Sequence, residues 1–254
     1  VRWNILIKIK FVELFSKQCL KHLSCGILWC LGFVQTYVFI RLYWLVSCAI
    51  PTYSMSPTLL AGDYIIISLR IPGRRLVRED NARLGHYIIS RKKGDRSVRV
   101  GDVVVFNFPY SKGEEQMRMN FDLYFCKRCV AIPGETYIWE WDAVSDSVYL
   151  PRQEEVVVID SLNFRHYNRC IEYETGIMPK LLNGTVMHAD TLMHSYRFKN
   201  NYYFMRGDNC VDSYDSRFWG ILPEDFILGT GQFIWFSKDR DMGKIRWERM
   251  FRKL

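Results

Sequence analysis

Two side chains, far apart in the chain, have the chemistry of a nucleophile and its base. The first is Ser54, in the stretch Pro51-Thr52-Tyr53-Ser54-Met55-Ser56-Pro57-Thr58-Leu59. If residues 52–54 run extended, the two-residue side-chain period brings the hydroxyls of Thr52 and Ser54 to one face. Pro57 biases Ser56 toward extended backbone and removes a donor, which predicts a strand end along which a peptide could lie. The same residues also make an ordinary surface turn. The second side chain is Lys127, in Leu123-Tyr124-Phe125-Cys126-Lys127-Arg128-Cys129-Val130-Ala131. On a strand, Lys127 shares a face with Leu123, Phe125, Cys129 and Ala131, while Arg128 goes with Tyr124, Cys126 and Val130. A lysine drawn into so apolar a face loses solvation, and its neutral amine can then accept a proton near neutral pH. A serine hydroxyl needs such a base. An edge-strand lysine that reaches solvent is the plain alternative.

A third stretch, Gly207 to Gly220, is dense in Asp, Asn, Ser and Gly, the residues of loops. Asp215 and Arg217 share a side in extended chain and predict an ion pair, with Ser213 on that side too. Arg217 and the lack of a bidentate Glu argue against a calcium loop. Eight cysteines do not form a dense framework, and Cys126 and Cys129 of the one CxxC point to opposite faces of a strand, which indicates packing. Five scattered histidines lack metal-ligand spacing, so neither a metal nor another cofactor is expected.

The elements that must position these groups are mostly strands. Runs rich in β-branched and aromatic residues occur at Tyr64–Leu69, Val103–Phe108, Leu123–Ile132, Thr136–Trp141, Val156–Ile159, Tyr202–Met205 and Ile227–Phe236, with turn residues between them. The chain has 254 residues, enough for a substantial core, and its net charge of +8 by itself permits nucleic acid, anionic lipid or no specific partner. Residues 1–22 are basic and lead into an uncharged run from Leu23 to Ile40, about the minimum for a spanning helix. Trp29, Tyr37, Trp44 and Arg41 suit the interfaces, and the basic flank predicts a cytoplasmic N-terminus. A secretory signal and a buried core helix are the competing readings of that run. Residues 70–99 hold ten Lys and Arg against three acids and predict a solvated loop, with contact to anionic lipid as the alternative. At the C-terminus Trp247, Met250, Phe251 and Leu254 recur at helical spacing, a stripe for packing on the chain's own domain or for lying on a membrane.

Four blocks, in order, resemble the bacterial type I signal peptidases. They are Ser54-Met55-Ser56-Pro57-Thr58-Leu59, Arg99 to Phe106, Lys127-Arg128 to Pro133-Gly134-Glu135, and Gly207-Asp208-Asn209 to Asp215-Ser216-Arg217-Phe218-Trp219-Gly220. The resemblance covers roughly residues 25–254. It implies a mainly β fold: an antiparallel β-sheet catalytic domain with a smaller second β-region, preceded by one N-terminal transmembrane helix. The organisation expected is a cytoplasmic stretch 1–22, a span 23–41, catalytic residues 42–141, a variable β-region 142–200 and a closing catalytic part 201–254. The implied activity is serine endopeptidase removal of signal peptides from exported preproteins after small residues, at the outer face of the bacterial inner membrane. The resemblance further implies Ser54 as nucleophile and neutral Lys127 as general base. The Ser54 amide and the Thr52 hydroxyl would hold the oxyanion, Ser213 would orient the lysine, and Asp215, Arg217, Asp208 and Asn209 would support the site. The implied partners are signal peptides and the bilayer, not nucleic acid. Thr52, Tyr53, Cys129 and Ala131 depart from the family's usual residues, and Thr52, Tyr53 and Ala131 motivate a second reading, a catalytically silent relative that binds exported chains or a partner without cutting. A self-cleaving Ser-Lys repressor is a third, and would need a DNA-binding module where the uncharged run stands.

Overall fold

The computed structural model describes residues 25–38, 44–80, 87–110, 116–141 and 144–254. The chain divides into two compact units, Val1–Leu45 and Val46–Leu254. In the first, residues 25–38 form a helix (α1) whose side chains are all exposed. Among the described residues no helix is long and apolar enough to cross a membrane. The span expected over 23–41 runs past α1 at both ends, and it and the basic stretch 1–22 lie partly or wholly outside the described residues.

From Leu45 onward the chain is dominated by strands. These are β1 (Leu45–Ala49), β2 (Asp63–Ser68), β3 (Arg75–Glu79), β4 (Tyr87–Arg91), β5 (Val103–Asn107), β6 (Tyr124–Ala131), β7 (Thr136–Trp141), β8 (Val144–Tyr149), β9 (Val156–Val158), β10 (Lys180–Leu182), β11 (Thr185–His188), β12 (Thr191–Leu192), β13 (Ser195–Arg197), β14 (Tyr202–Arg206), β15 (Leu222–Pro223) and β16 (Ile227–Ser237). Every strand expected from composition is present, with its ends within one residue of expectation. The main sheet has the order β1-β2-β16-β5-β6-β14-β15, and the smaller sheets are β10-β11-β12, β13-β9, β3-β4 and β7-β8. The pairings from β2 through β15 in the main sheet are antiparallel.

Strand β5 explains how one sheet feeds two cores. All five of its residues are buried, which a strand tolerates only when both faces are covered. Val103 and Val105 pack with Ile50, Met55, Leu59, Ile65, Ile67 and Ile234. The alternate residues Val104 and Phe106 pack with Cys129, Ala131, Phe204 and Trp219 on the other side. Cys126 borders the first cluster and Cys129 belongs to the second, so the CxxC cysteines do face opposite ways. Burial pushes both thiols up to about 12.

Two expectations need correction, and the second β-region holds a helix besides its strands. Residues 70–99 are not a solvated loop throughout, because β3 and β4 pair as a hairpin. Its arginines are its anchors: Arg75 donates to the carbonyls of Asp225 and Phe226 and to Asn107 Oδ1, while Arg91 donates to the carbonyls of Gly73, Glu224 and Ile227. Burial lowers both guanidinium pKa values, that of Arg75 to about 10. Charge density signals exposure only when no carbonyls wait to receive the guanidinium groups. Residues 142–200 contain, besides strands, a helix α2 (Phe164–Thr175), which buries Tyr167, Cys170 and Ile171. Finally, the C-terminal stripe is not a helix. Only Trp247–Arg249 make a 3₁₀ turn, and the turn directs Arg249 inward while Trp247 and Phe251 stay exposed.

The inward arginine meets a fully buried Asp63. Arg249 Nη2 lies 2.6 Å from Asp63 Oδ2, Ser237 Oγ donates to Oδ1 at 2.6 Å, and the Leu60 amide donates to Oδ2 at 2.8 Å. Arg249 also donates to the Thr58 carbonyl at 2.9 Å. The C-terminal segment thereby clamps the turn that follows Ser54. Burial opposes ionisation of Asp63, but the hydrogen bonds from Arg249, Leu60 and Ser237 outweigh it and hold the carboxyl below its usual range. Arg246 Nη2, 3.6 Å from Asp63 Oδ1, would remain after Arg249 is removed, so Arg249→Met should cost about 1–3 kcal/mol in urea unfolding, part of it restored by adding Asp63→Leu. Because the carboxyl is depressed, its contribution is present above the unfolded value near about 4 and lost as pH falls through the folded value. The gap between parent and Arg249→Met should therefore narrow in acid.

Candidate active site

Lys127 reaches the site from the middle of β6, opposite Val104 of β5. Paired residues of an antiparallel ladder share a face, and here that face carries Phe106, Cys129 and Ala131. The lysine is only 3% exposed. Its Nζ lies 2.7 Å from Ser54 Oγ, across 73 residues of sequence, and 5.8 Å from the Phe125 ring centroid. Burial pushes the amine below its ordinary pKa, against the opposing pull of Asp215 and, more weakly, Cys126 and Asp212.

Ser54 does not sit on an extended segment. Residues 52–59 form bends and turns, with the Ser56 amide donating to the Tyr53 carbonyl at 2.9 Å and the Leu59 amide to the Met55 carbonyl at 2.8 Å. The turn sinks Met55 and Leu59 into the core, and that burial overrides the extended bias before Pro57. The hydroxyls of Thr52 and Ser54 nonetheless meet, at 3.3 Å, through the turn rather than through strand alternation. Among the described residues no acceptor takes the Ser54 amide.

The acidic loop holds the turn from the other side. The Asn209 amide donates to the Ser54 carbonyl at 3.1 Å, and its side-chain nitrogen to the Tyr53 carbonyl at 3.4 Å. Asp208 takes both the Nε (2.7 Å) and an Nη (2.6 Å) of Arg128, whose other contacts are the Gly101 carbonyl and Thr58 Oγ1. So Lys127 and Arg128, adjacent on one strand, are split between the two faces as the alternation requires. Asp215, fully buried, caps the short helix α3 (Ser216–Trp219), accepts from the Gly207 amide at 3.0 Å and pairs with Arg217 Nε at 2.8 Å. The Arg217 guanidinium stacks 4.4 Å from the Trp141 ring centroid, which uses its apolar faces where its edges are already bonded. Ser213 Oγ is enclosed and, among the described residues, has no hydrogen-bond partner, so it does not hold Lys127 in this state. The expected site residues are thus gathered around Ser54, with Ser213 unengaged.

Beside Ser54 and Lys127 runs a groove of about 590 Å³. Ile50, Tyr53, Met55, Phe125, Cys126 and Tyr214 are among the side chains that line it. Reading the sequence alone misses the roles of Cys48, which also lines the groove, and of Gly207. A Cβ at Gly207 would stand 2.1 Å from Ser213 Oγ and 2.5 Å from the Ser54 carbonyl oxygen, so the glycine lets two backbones close on each other. The arrangement supplies a hydroxyl in contact with a desolvated amine at the mouth of an apolar cleft, the equipment for acyl transfer.

Comparison with known proteins gives a consistent result. A family model described as signal peptidase, peptidase S26, matches residues 23–236. The chain is similar to signal peptidase I of Aquifex aeolicus (strain VF5), with 27% identity over 222 residues and 80% of each chain covered. It is also similar to signal peptidase I of Helicobacter pylori (strain ATCC 700392 / 26695), 27% identical over 290 residues, covering 92% of this chain and 95% of the relative. Signal peptidase I of Buchnera aphidicola subsp. Acyrthosiphon pisum is 27% identical over 234 residues, covering 76% and 68%.

The close approach at Gly207 is directly testable. Gly207→Ala should push the acidic loop off the Ser54 turn, and hydrogen exchange should then show the Asn209 amide losing protection by about tenfold or more while β5 and β16 keep theirs.

Proposed function

This chain belongs to the signal peptidase S26 family, and on that premise we propose that it removes signal peptides from exported preproteins with Ser54 as nucleophile and neutral Lys127 as general base. It is a serine peptidase. The observation that carries the assignment of roles is the 2.7 Å contact between Ser54 Oγ and the buried Lys127 Nζ. Ser54 Oγ attacks the scissile carbonyl carbon while Lys127 takes its proton. The Ser54 amide, which has no acceptor of its own among the described residues, and the Thr52 hydroxyl receive the oxyanion. The protonated lysine then returns its proton to the leaving amine, and water repeats the cycle on the acyl-enzyme.

The surroundings fit each step. Desolvation weighs against the charged form of the amine, and Asp215 lies near enough to favour the ammonium once it forms. Strand β6 pairs with β14 only from Arg128 to Ala131, so the edge of Tyr124 to Lys127 away from β5 has no strand partner among the described residues. An extended peptide can add to that edge and bring its carbonyl to Ser54.

The chain works at a bilayer as a single-pass protein with its N-terminus in the cytoplasm and its β-rich part outside. The uncharged run from Leu23 to Ile40 after a basic flank supports this. So does the exposure of Trp235, Trp247 and Phe251 at 41%, 71% and 75%, since exposed aromatics of this size suit a headgroup layer.

In detergent, the parent should cut a model preprotein at its signal-peptide junction. Ser54→Ala and Lys127→Met should each lower kcat at least about a thousandfold without unfolding the protein, and the double variant should be no worse than either. Full activity in either single variant would refute the roles assigned. Since the base must be unprotonated and its pKa is lowered, the rate should rise with pH with a midpoint below the value of about 10.4 for free lysine.

A further inference from the structure

Apart from Lys127, the groove beside Ser54 has one charged wall residue among the described residues, and it is a carboxylate, Asp212. The loop that carries it is anchored on both sides. Asn209 is bonded to the Ser54 carbonyl three residues before it, and the buried Asp215–Arg217 pair follows it. Between these anchors Asp212 is exposed and makes no hydrogen bond or ion pair among the described residues. Its neighbours in the loop are treated differently, since Asp208 is taken by Arg128 and Asp215 by Arg217. In a chain with a net charge of +8, the one acid facing the groove among the described residues has no hydrogen bond or ion pair with a cation among them.

A single charge in a cleft with apolar walls has its field concentrated along the cleft. The walls here are also suited to a long basic side chain. Tyr53 and Tyr214 line the same groove and are 46% and 54% exposed. Their faces can cover an aliphatic stem and attract the cation at its end. The field of Asp212 also reaches Lys127, where Asp215 has the larger influence. We propose that Asp212 is a specificity-determining residue that, with Tyr53 and Tyr214, receives a Lys or Arg side chain of the polypeptide lying in the groove, close to the bond that is cut. This rests on the groove being the substrate site of the peptidase.

The test uses the full chain in detergent and a series of signal-junction peptides in which Lys or Gln is set at one position at a time on either side of the scissile bond. One position, or two neighbouring ones, should favour Lys over Gln in kcat/KM by about two- to fivefold, the range of a single exposed ion pair. The preference should fade with added salt. In Asp212→Asn the ratio should fall to about one, and in Asp212→Lys it should reverse so that Glu is favoured over Gln. Binding of the same peptides to Ser54→Ala should give the same ratios without turnover. Equal cleavage of all the peptides by the parent, or a Lys preference that survives in Asp212→Asn, would overturn the assignment of Asp212 and leave the peptidase standing. A parent that neither cuts nor binds any of the peptides would instead remove the peptidase reading and this one with it.

Discussion

A primary amine buried in an apolar wall is the constraint on which the rest of this structure depends. Lys127 leaves water at a cost that falls almost wholly on its charged form, and that burial lowers its pKa. Such a group keeps its position only if the strand that bears it cannot slip. One residue of slippage along β6 would put Arg128 in the groove and Lys127 on the salt-bridged face. Two-sided burial of β5, with valines feeding both cores, is what forbids that slip.

Three ion pairs fix the remaining chain around the amine, and each joins segments distant in sequence or closes a loop. Arg128 and Asp208 tie the lysine strand to the acidic loop. Asp215 and Arg217 stiffen that loop, and Asp63 and Arg249 tie the C-terminus to the turn after Ser54. Buried pairs of this kind add little net stability over well-packed apolar residues, but a misassembled alternative that separates them is penalised heavily. Their role here is therefore positional. They hold the Ser54 turn against Asn209 and Gly207 closely enough that a single added methyl would not fit.

The groove follows from the same arrangement. Because β14 leaves β6 at Arg128, Tyr124 to Lys127 pair with β5 on one edge and have no strand partner on the other among the described residues. Unpartnered backbone groups, an apolar wall and Lys127 thus lie on consecutive residues of one strand, and the separate turn at residues 52–59 brings Ser54 to them. Asp212 adds charge to that surface from a loop held at both ends, so its position is set even though its side chain is free.

Much of this was legible in the residues themselves. Alternation along Leu123 to Ala131 put Lys127 and Arg128 on opposite faces, and β-branched runs marked the principal strands, because both signals are local and repeat every two residues. Ser54, Lys127 and the Asp215–Arg217 pair could be singled out by residue type and motif order. What only the tertiary structure decided involves partners far away in sequence. The 73-residue separation of Ser54 and Lys127 closes to 2.7 Å through the sheet order, not through any local pattern. Arg75, Arg91 and Arg249 read as surface charges until buried carbonyls and Asp63 are found waiting for them. The turn at residues 52–59 and the inward twist of the C-terminus likewise went against local bias. There the burial of Met55, Leu59 and Arg249 outweighed the preferences of single residues, and those burial sites exist only once the sheet has formed.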